Sequence, residues 1–429
     1  MPAVLLLRSL PRAASSMPQT TPLVGTQQSD KQSLWILAVL SALMAFASVS
    51  TDLYLPAMPA MAQSLHASPG QLELTITGYL VGFSLGQLLW GPIGDRYGRR
   101  LPIALGLLLF IAGSIGCALS TATPVMIISR ALQAVGACAS VVLARAMIRD
   151  LYEGHRAAQM LSTLMTVMAV APLLGPSVGG AILKFGSWHL IFWVLAFFGI
   201  ATLIAVYSLP ETLPIERRNY EPLGGAWKRY IQLIMDRRII GYATVGGFFY
   251  GGVYAYIAGT PFVYIDYYHI SPQSYGLLFA LGIAGIMMAN QVNARLVKHI
   301  GSDRLMRVGA LMAALAGIWL LIDSWSGLGG LTGLVAPLFV FCAAAGLIVA
   351  NSIVGALNSF PTVAGAVSAL IGALQYGTGI LGSGLVGALA DGTPLPMALV
   401  IAVFGVASML CAFCLVKSAP QAQEEPAQI

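Results

Sequence analysis

Apolar runs of about twenty residues recur along this chain, and no other feature limits its fold so strongly. Twelve of them succeed one another between Leu34 and Val416, beginning with Leu34–Met58, Gln71–Gly91 and Leu101–Leu119 and ending with Thr362–Leu389 and Pro396–Val416. As helix, at about 1.5 Å per residue, each is long enough to cross a hydrocarbon layer of ~30 Å. A barrel strand would need only about ten residues of alternating polarity, so helices are the expected spanning form. Composition agrees. Only 9% of the 429 residues are charged and 58% are hydrophobic, at a mean hydropathy of +0.82, whereas a water-soluble domain carries about 25% charge. The expected fold is an all-α polytopic membrane protein with 12 transmembrane helices.

Loops and tails divide the chain. Residues 1–33 are polar apart from Val4–Leu7, a run too short for a signal-peptide core, and read as a disordered cytoplasmic tail, with Met17 a second candidate start. The longest loop, residues 210–238, holds six basic residues and separates an N-terminal six-helix bundle (34–209) from a C-terminal one (239–416). Residues 417–429 form a second cytoplasmic tail. With both termini inside, 20 of the 22 Lys and Arg fall on the cytoplasmic side, while outer turns carry Asp266, Asp323 and Asp391. This bias accounts for the net charge of +6 without a nucleic-acid partner.

Two charges stand inside apolar segments. Asp52 lies six residues from the outer end of the first, and Arg130 about seven from the outer end of the fourth. Both are therefore expected roughly 10 Å below the outer surface, where they are candidate partners directly or through water. An ionised acid there costs at least ~2.5 kcal/mol, so it should be neutral, paired or wet. Asp52 reads either as a cap near the helix end or as a proton carrier. Desolvation raises a carboxyl's pKa and a nearby cation lowers it, which lets one acid exchange a proton against a substrate. Arg130 reads either as that cation or as a side chain snorkelling outward.

Three motifs carry a family resemblance. The turn Gly91–Arg100, GPIGDRYGRR, places Asp95, Arg96, Arg99 and Arg100 between two spans, with Gly91 and Gly98 allowing a tight reversal. The string ISRALQAVGACAS surrounds Arg130, Gln133, Gly136 and Ala137. In APLLGPSVGG, Ala171, Gly175 and Gly179 recur every fourth residue beside Pro172, Pro176 and Gly180, giving a small packing face on a bent helix. These resemble, in turn, the helix 2–3 loop, the helix-4 proton-coupling motif (with Ala134 in place of a glycine) and the exporter signature of the major facilitator superfamily. Over about residues 34–416, together with STDLYLPAMPAM, RDLY, WHLIFWVLA, LPETLP and GTPFVYI, the chain resembles the bicyclomycin-resistance (Bcr/CflA) type of drug:proton antiporter.

That resemblance implies two bundles related by a pseudo-two-fold axis, with the segment Arg295–Arg307 as the diverged counterpart of Gly91–Arg100. It implies a monomer in the bacterial inner membrane, within the lipid bilayer, that exports varied antibiotics of bicyclomycin-, chloramphenicol- or sulfonamide-like classes. It also implies proton coupling at Asp52 and Arg130 and a cytoplasmic gate at Gly91, Asp95, Arg96, Gly98, Arg99 and Arg100. Asp95 is expected to face the start of the eleventh span near Thr362. The arginines are expected to pair with carboxylates across the interface when the cavity faces outward.

Candidate cavity groups are Tyr54, Gln87, Gln133, Tyr250, Tyr254, Asn351 and Gln375, each a polar or aromatic side chain inside a span. The tyrosines read equally as interfacial aromatics. Glu73 is expected to be solvated near the outer surface and His189 to be interfacial. No P-loop appears, so ATP is not the direct energy source, and no zinc-ligand spacing appears outside the helices. The chain is read as no enzyme, with no cofactor or metal and a proton gradient as its energy source. Export of a metabolite such as an amino acid or small peptide is the alternative reading.

Overall fold

A computed structural model describes residues 30–152, 154–219, 223–358, 360 and 363–416. The N-terminal half contains α1 (Asp30–Asp52), the short α2 (Met58–Ser64), α3 (Pro69–Tyr97), α4 (Arg100–Ala118), α5 (Thr123–Leu151), α6 (Gly154–Ile182) and α7 (His189–Tyr207). After α8 (Leu223–Ile234) come α9 (Arg237–Pro261), α10 (Pro272–Ile300), α11 (Ser302–Ser326), α12 (Gly330–Asn358), α13 (Ala364–Leu389) and α14 (Leu395–Cys414). Twelve of these run 19 residues or more, and ten are apolar enough along their length to cross a membrane. The other two long helices are α6, whose apolar part among the described residues is Val170–Ile182, and α9, which opens on Arg237 and Arg238 and carries four tyrosines.

The halves repeat one packing scheme. In the first, α5 packs on α3 and α4, α4 on α7, and α1 on α6. In the second, α12 packs on α10 and α11, α11 on α14, and α9 on α13. This correspondence is the expected pseudo-two-fold. It extends to a turn: Gly98 between α3 and α4 has φ +89° and Gly301 between α10 and α11 has φ +85°. Both occupy backbone space reserved for glycine, so the turn geometry persists where the charged motif around it has diverged. The halves meet along two seams, α3 against α13 and α6 against α10.

Two elements depart from the sequence reading. The first apolar segment is not one helix to Met58, because α1 stops at Asp52. A 3₁₀ turn, Leu55–Ala57, and α2 continue the chain. Pro56 and Pro59 lack the amide hydrogens that a continuing helix would need. The stretch Leu53–Met58 is nevertheless buried throughout, so Asp52 ends a helix without reaching a surface. The loop 210–238 is also partly helical. Tyr230 and Leu233 of α8 pack against Ile239, Ala243, Ala356, Val367 and Ile371, and the Tyr230 hydroxyl lies 3.5 Å from the Leu88 carbonyl of α3.

Candidate functional site

The end of the molecule bearing Arg96, Arg99 and Arg100 is organised by Arg99, which is buried. Its Nε donates to Asp150 Oδ2 at 2.8 Å and its Nη1 to Asp95 Oδ1 at 2.7 Å. Burial works against this charge, and the two carboxylates outweigh it, holding the guanidinium above its ordinary range. Glu211 accepts from the backbone amides of Arg99 (2.8 Å), Arg100 (3.1 Å) and Leu213 (3.0 Å). Partial burial pushes its carboxyl up, but those amides and the Arg218 charge prevail and hold it below the usual carboxylate range. A side chain at Gly98 would meet Glu211 and Arg218, so glycine is needed there for space as well as for φ.

Arg100 donates to the Tyr207 carbonyl at 2.6 Å, Arg96 stacks on Tyr97 at 5.7 Å, and Gly91 has open space around it. In this conformation the arginines are thus satisfied inside the N-terminal half and its linker, not by carboxylates of the other half. Thr362, the expected neighbour of Asp95, lies outside the described residues. Asp150 and Glu211 were missed as site residues. Both sit in strings that carry the family resemblance, RDLY and LPETLP, but only the fold brings them to Arg99.

Arg130 is the largest wholly buried side chain, at 0% exposure. Its Nη1 donates to the Ser50 carbonyl at 2.9 Å and to Gln133 Oε1. Tyr54 and Tyr79 hold the guanidinium between their rings, with centroids 4.2 and 4.4 Å away. Behind them, Tyr79 shares a 2.6 Å hydrogen bond with Ser50, Tyr54 a 3.2 Å one with Thr75, and Gln133 donates to Ser114 at 2.7 Å. Nε and Nη2 of Arg130 have no hydrogen-bond partner.

Asp52 is 5% exposed and sits beside Thr51, within reach of the Arg130 field. It makes no ion pair with Arg130, since the only pairs within 4.0 Å among the described residues are those of Arg99. Of the two expected forms of partnership, direct or through water, the direct one does not form: two tyrosine rings and the Ser50 carbonyl occupy the guanidinium instead. Tyr54 and Gln133, expected in the cavity, are part of this packed shell.

The glycine face of α6 positions Asp52. A Cβ on Gly175 would lie 3.0 Å from Asp52 Cβ, and one on Gly179 would collide with the Leu53 carbonyl. Pro176 is buried beside them, while Ala171 and Pro172 are half-buried. Gly180 faces the other half, where Gln273 of α10 donates to its carbonyl at 3.2 Å. One helix face therefore ties the acid of α1 to the seam between halves.

Both seams are shut at the end remote from the basic loops. Gly70 abuts the Gly387 carbonyl, Gly276 abuts Ser177, and the Thr77 and Ser383 hydroxyls are 2.9 Å apart. Glu73 lies in this closure. It is 3% exposed, its Oε2 has no hydrogen-bond partner, and it borders a crevice of about 60 Å³ with Asp266, Thr393 and Met397. The expectation of a solvated Glu73 is overturned, because α13 packs over it. His189, by contrast, stacks on Trp188 at that end, with ring centroids 3.6 Å apart.

Nearer the basic end, Tyr250 and Tyr254 of α9 cluster with Tyr376 of α13, and Phe83 of α3 joins Tyr376 at 4.5 Å. These rings join the two halves. Gln87 lies against Gly372 across the α3–α13 seam, and Gln375 is buried with its Nε2 unpartnered. Asn351 is corrected: its amide donates to Asn293 Oδ1 at 2.7 Å and to the Leu347 carbonyl at 2.8 Å, locking α12 to α10 inside the C-terminal half.

Two quasi-equivalent helical halves built largely of apolar helices long enough to cross a bilayer form a multi-pass membrane protein, and its relatives make it a transporter and not an enzyme. The sequence profile of the Major Facilitator Superfamily matches residues 34–383, and the chain belongs to that family. It is 36% identical over 390 residues to a Bacillus subtilis protein named "Uncharacterized MFS-type transporter YdgK", covering 90% of this chain and 96% of that one. It is 30% identical over 380 residues to a Haemophilus influenzae "Bicyclomycin resistance protein homolog", covering 88% and 94%. Within the superfamily it therefore groups with the bicyclomycin-resistance type. Among solved structures, the Escherichia coli xylose transporter XylE in a partially occluded inward-open conformation superposes with a TM-score of 0.69 at 15% identity, over 88% of this chain and 96% of that chain. That likeness concerns the fold.

Proposed function

We propose that this protein is a proton-coupled exporter of amphipathic antibiotics, working as a monomer in the bacterial inner membrane with its basic end in the cytoplasm. The observation that carries the reading is the position of Asp52. Among the described residues it is the one acid at the junction of the α1 break, the glycine face of α6 and the seam to α10, where any rocking of the halves must alter its surroundings. The resistance proteins among its relatives support drugs as the cargo. The proton gradient supplies the energy, and no bound cofactor takes part.

In this scheme the closed end seen here faces outward, and drug enters from the cytoplasm or inner leaflet among the Tyr250, Tyr254 and Tyr376 rings. Drug binding favours loss of the Asp52 proton to the cytoplasm. The seams between Gly70 and Gly387 and between Ser177 and Gly276 then part, while the Arg99 loop supports closure at the basic end. A periplasmic proton on Asp52 displaces the drug and resets the halves. Arg130, rigidly held by its tyrosines, acts on Asp52 through its field and not by direct contact.

Proton movement in inverted membrane vesicles holding a pH gradient tests this, with antibiotics and amino acids added in turn. Dissipation provoked by a drug in the wild type and absent in Asp52→Asn is expected. Unchanged coupling in Asp52→Asn would sink the carrier role, and a response confined to amino acids would make the protein a metabolite exporter.

A further inference from the structure

Glu73 is a buried acid to which the scheme above assigns no task. It belongs to a stripe of α3, with Gly70, Thr77, Ser84 and Gln87, that lies along α13 of the opposite half. Two hydroxyls of the stripe find partners there: Thr77 meets the Ser383 hydroxyl at 2.9 Å, and Ser84 donates to the Ala373 carbonyl at 2.9 Å. Glu73 finds none. A Cβ on Gly387 would lie 3.5 Å from its Oε2, and Val386 and Ala390 nearby carry no polar side chain. The carboxyl is 3% exposed, its Oε2 has no hydrogen-bond partner, and no cation pairs with it among the described residues.

The crevice beside Glu73 joins it to the end remote from the basic loops. Buried Gly259, Val386 and Met397 line its inner part, and exposed Ala390, Gly392 and Thr393 form its rim. At about 60 Å³ it has room for a few waters. Farther along the seam, the Thr77–Ser383 contact closes the way inward. Of the residues bordering the crevice, Asp266 is the only titratable one besides Glu73, and α9, α13 and α14 bring none. An ionised Glu73 would thus face another acid and no donor. A carboxylate taken out of water in that way is strongly disfavoured, whereas the neutral acid is tolerated. Parting α3 from α13 removes Gly387 from above the side chain and gives it back to water.

We propose that Glu73 is a proton-binding site in the seam between the halves, holding a proton while this end is shut and releasing it when the end opens. The inference rests on the transport reading, in which this end faces outward, and adds a proton site separate from Asp52. Because closure takes up a proton, acid outside favours the shut arrangement and alkali the open one. That proton enters from the outer side and returns to it. It therefore sets how readily the outer end opens without entering the exchange stoichiometry.

The test measures the distance between spin labels on Ser64→Cys of α2 and Ser326→Cys of α11, exposed positions on opposite halves at the shut end. The full-length protein, lacking its five native cysteines, is placed in lipid nanodiscs at one acidic and one alkaline pH. Asp52→Asn is included throughout, so that the other acid contributes nothing. The ratio of short to long distances should fall on the alkaline side by about tenfold per pH unit, the limit for release of one proton. Glu73→Gln, which keeps the shape and stays neutral, should hold the short distance at both pH values, and Glu73→Asp should restore the response. An identical response in Glu73→Gln, or no response with Glu73 present, would overturn the site. A response seen in sodium but not in choline buffer would also overturn it, since the ligand would then be a metal cation. The two readings fail separately. If drugs drive proton exchange in vesicles while Glu73→Gln leaves the distances unchanged, the site falls and export stands. If no drug moves protons yet closure follows pH through Glu73, export falls and the site stands.

Discussion

At the scale of single residues, the most constrained side chain is Arg130. Its charge is offset by a carbonyl, an amide oxygen and two aromatic faces, not by a carboxylate. Such a charge is stationary, because every neighbour is itself hydrogen-bonded into the N-terminal core. Arg130→Lys should therefore be damaging although it keeps the charge. An ammonium cannot lie flat between two rings while donating to Ser50 and Gln133. We expect at least a tenfold loss of drug-driven proton exchange with little change in membrane abundance, read by vesicle flux and immunoblot. Wild-type flux in Arg130→Lys would show that charge alone suffices.

At the scale of elements, the basic-end turn is a small folded unit built from pieces far apart in sequence: the α3–α4 turn, the end of α5 and the linker after α7. Glu211 is its acceptor for three amides. Because its folded-state carboxyl titrates below the ordinary 4.5, its contribution is complete above that value. It is lost as pH falls through the lowered value. Thermal unfolding between pH 7 and pH 3 should show Glu211→Gln less stable than wild type at pH 7, by about 1 kcal/mol, with the two curves converging toward pH 3. A constant gap across that range would show that the charge is not what matters. The turn also shows why its partners were not legible in advance. The signal DRYGRR names the cations, but Asp150 and Glu211 are 51 and 112 residues from Arg99.

At the scale of the whole molecule, the proposed transport cycle requires the shut end to open along both seams. Thr77 and Ser383 mark one of them with hydroxyls 2.9 Å apart. Thr77→Cys with Ser383→Cys, in a background lacking the five native cysteines, should cross-link readily and lose transport, with activity returning on reduction. Full activity in the cross-linked state would mean that this seam stays closed throughout the cycle. The same scale explains Glu73. Its position near a helix start suggests solvent, and only the packing of α13 on α3 takes the water away.

The sequence alone determined the class of this protein. Hydropathy sets the number of spans because the bilayer rewards apolar runs of fixed length, the spread of arginines predicts the orientation, and local motifs locate the turn, the buried arginine and the glycine face. These signals are short-range, and one chain segment suffices to carry each. The tertiary structure decided which groups meet. It placed tyrosines rather than Asp52 around Arg130, gave Asn351 to Asn293, and buried Glu73. Contacts between helices depend on rotation about each helix axis and on which seam is closed, and both follow from the packing of all twelve long helices together.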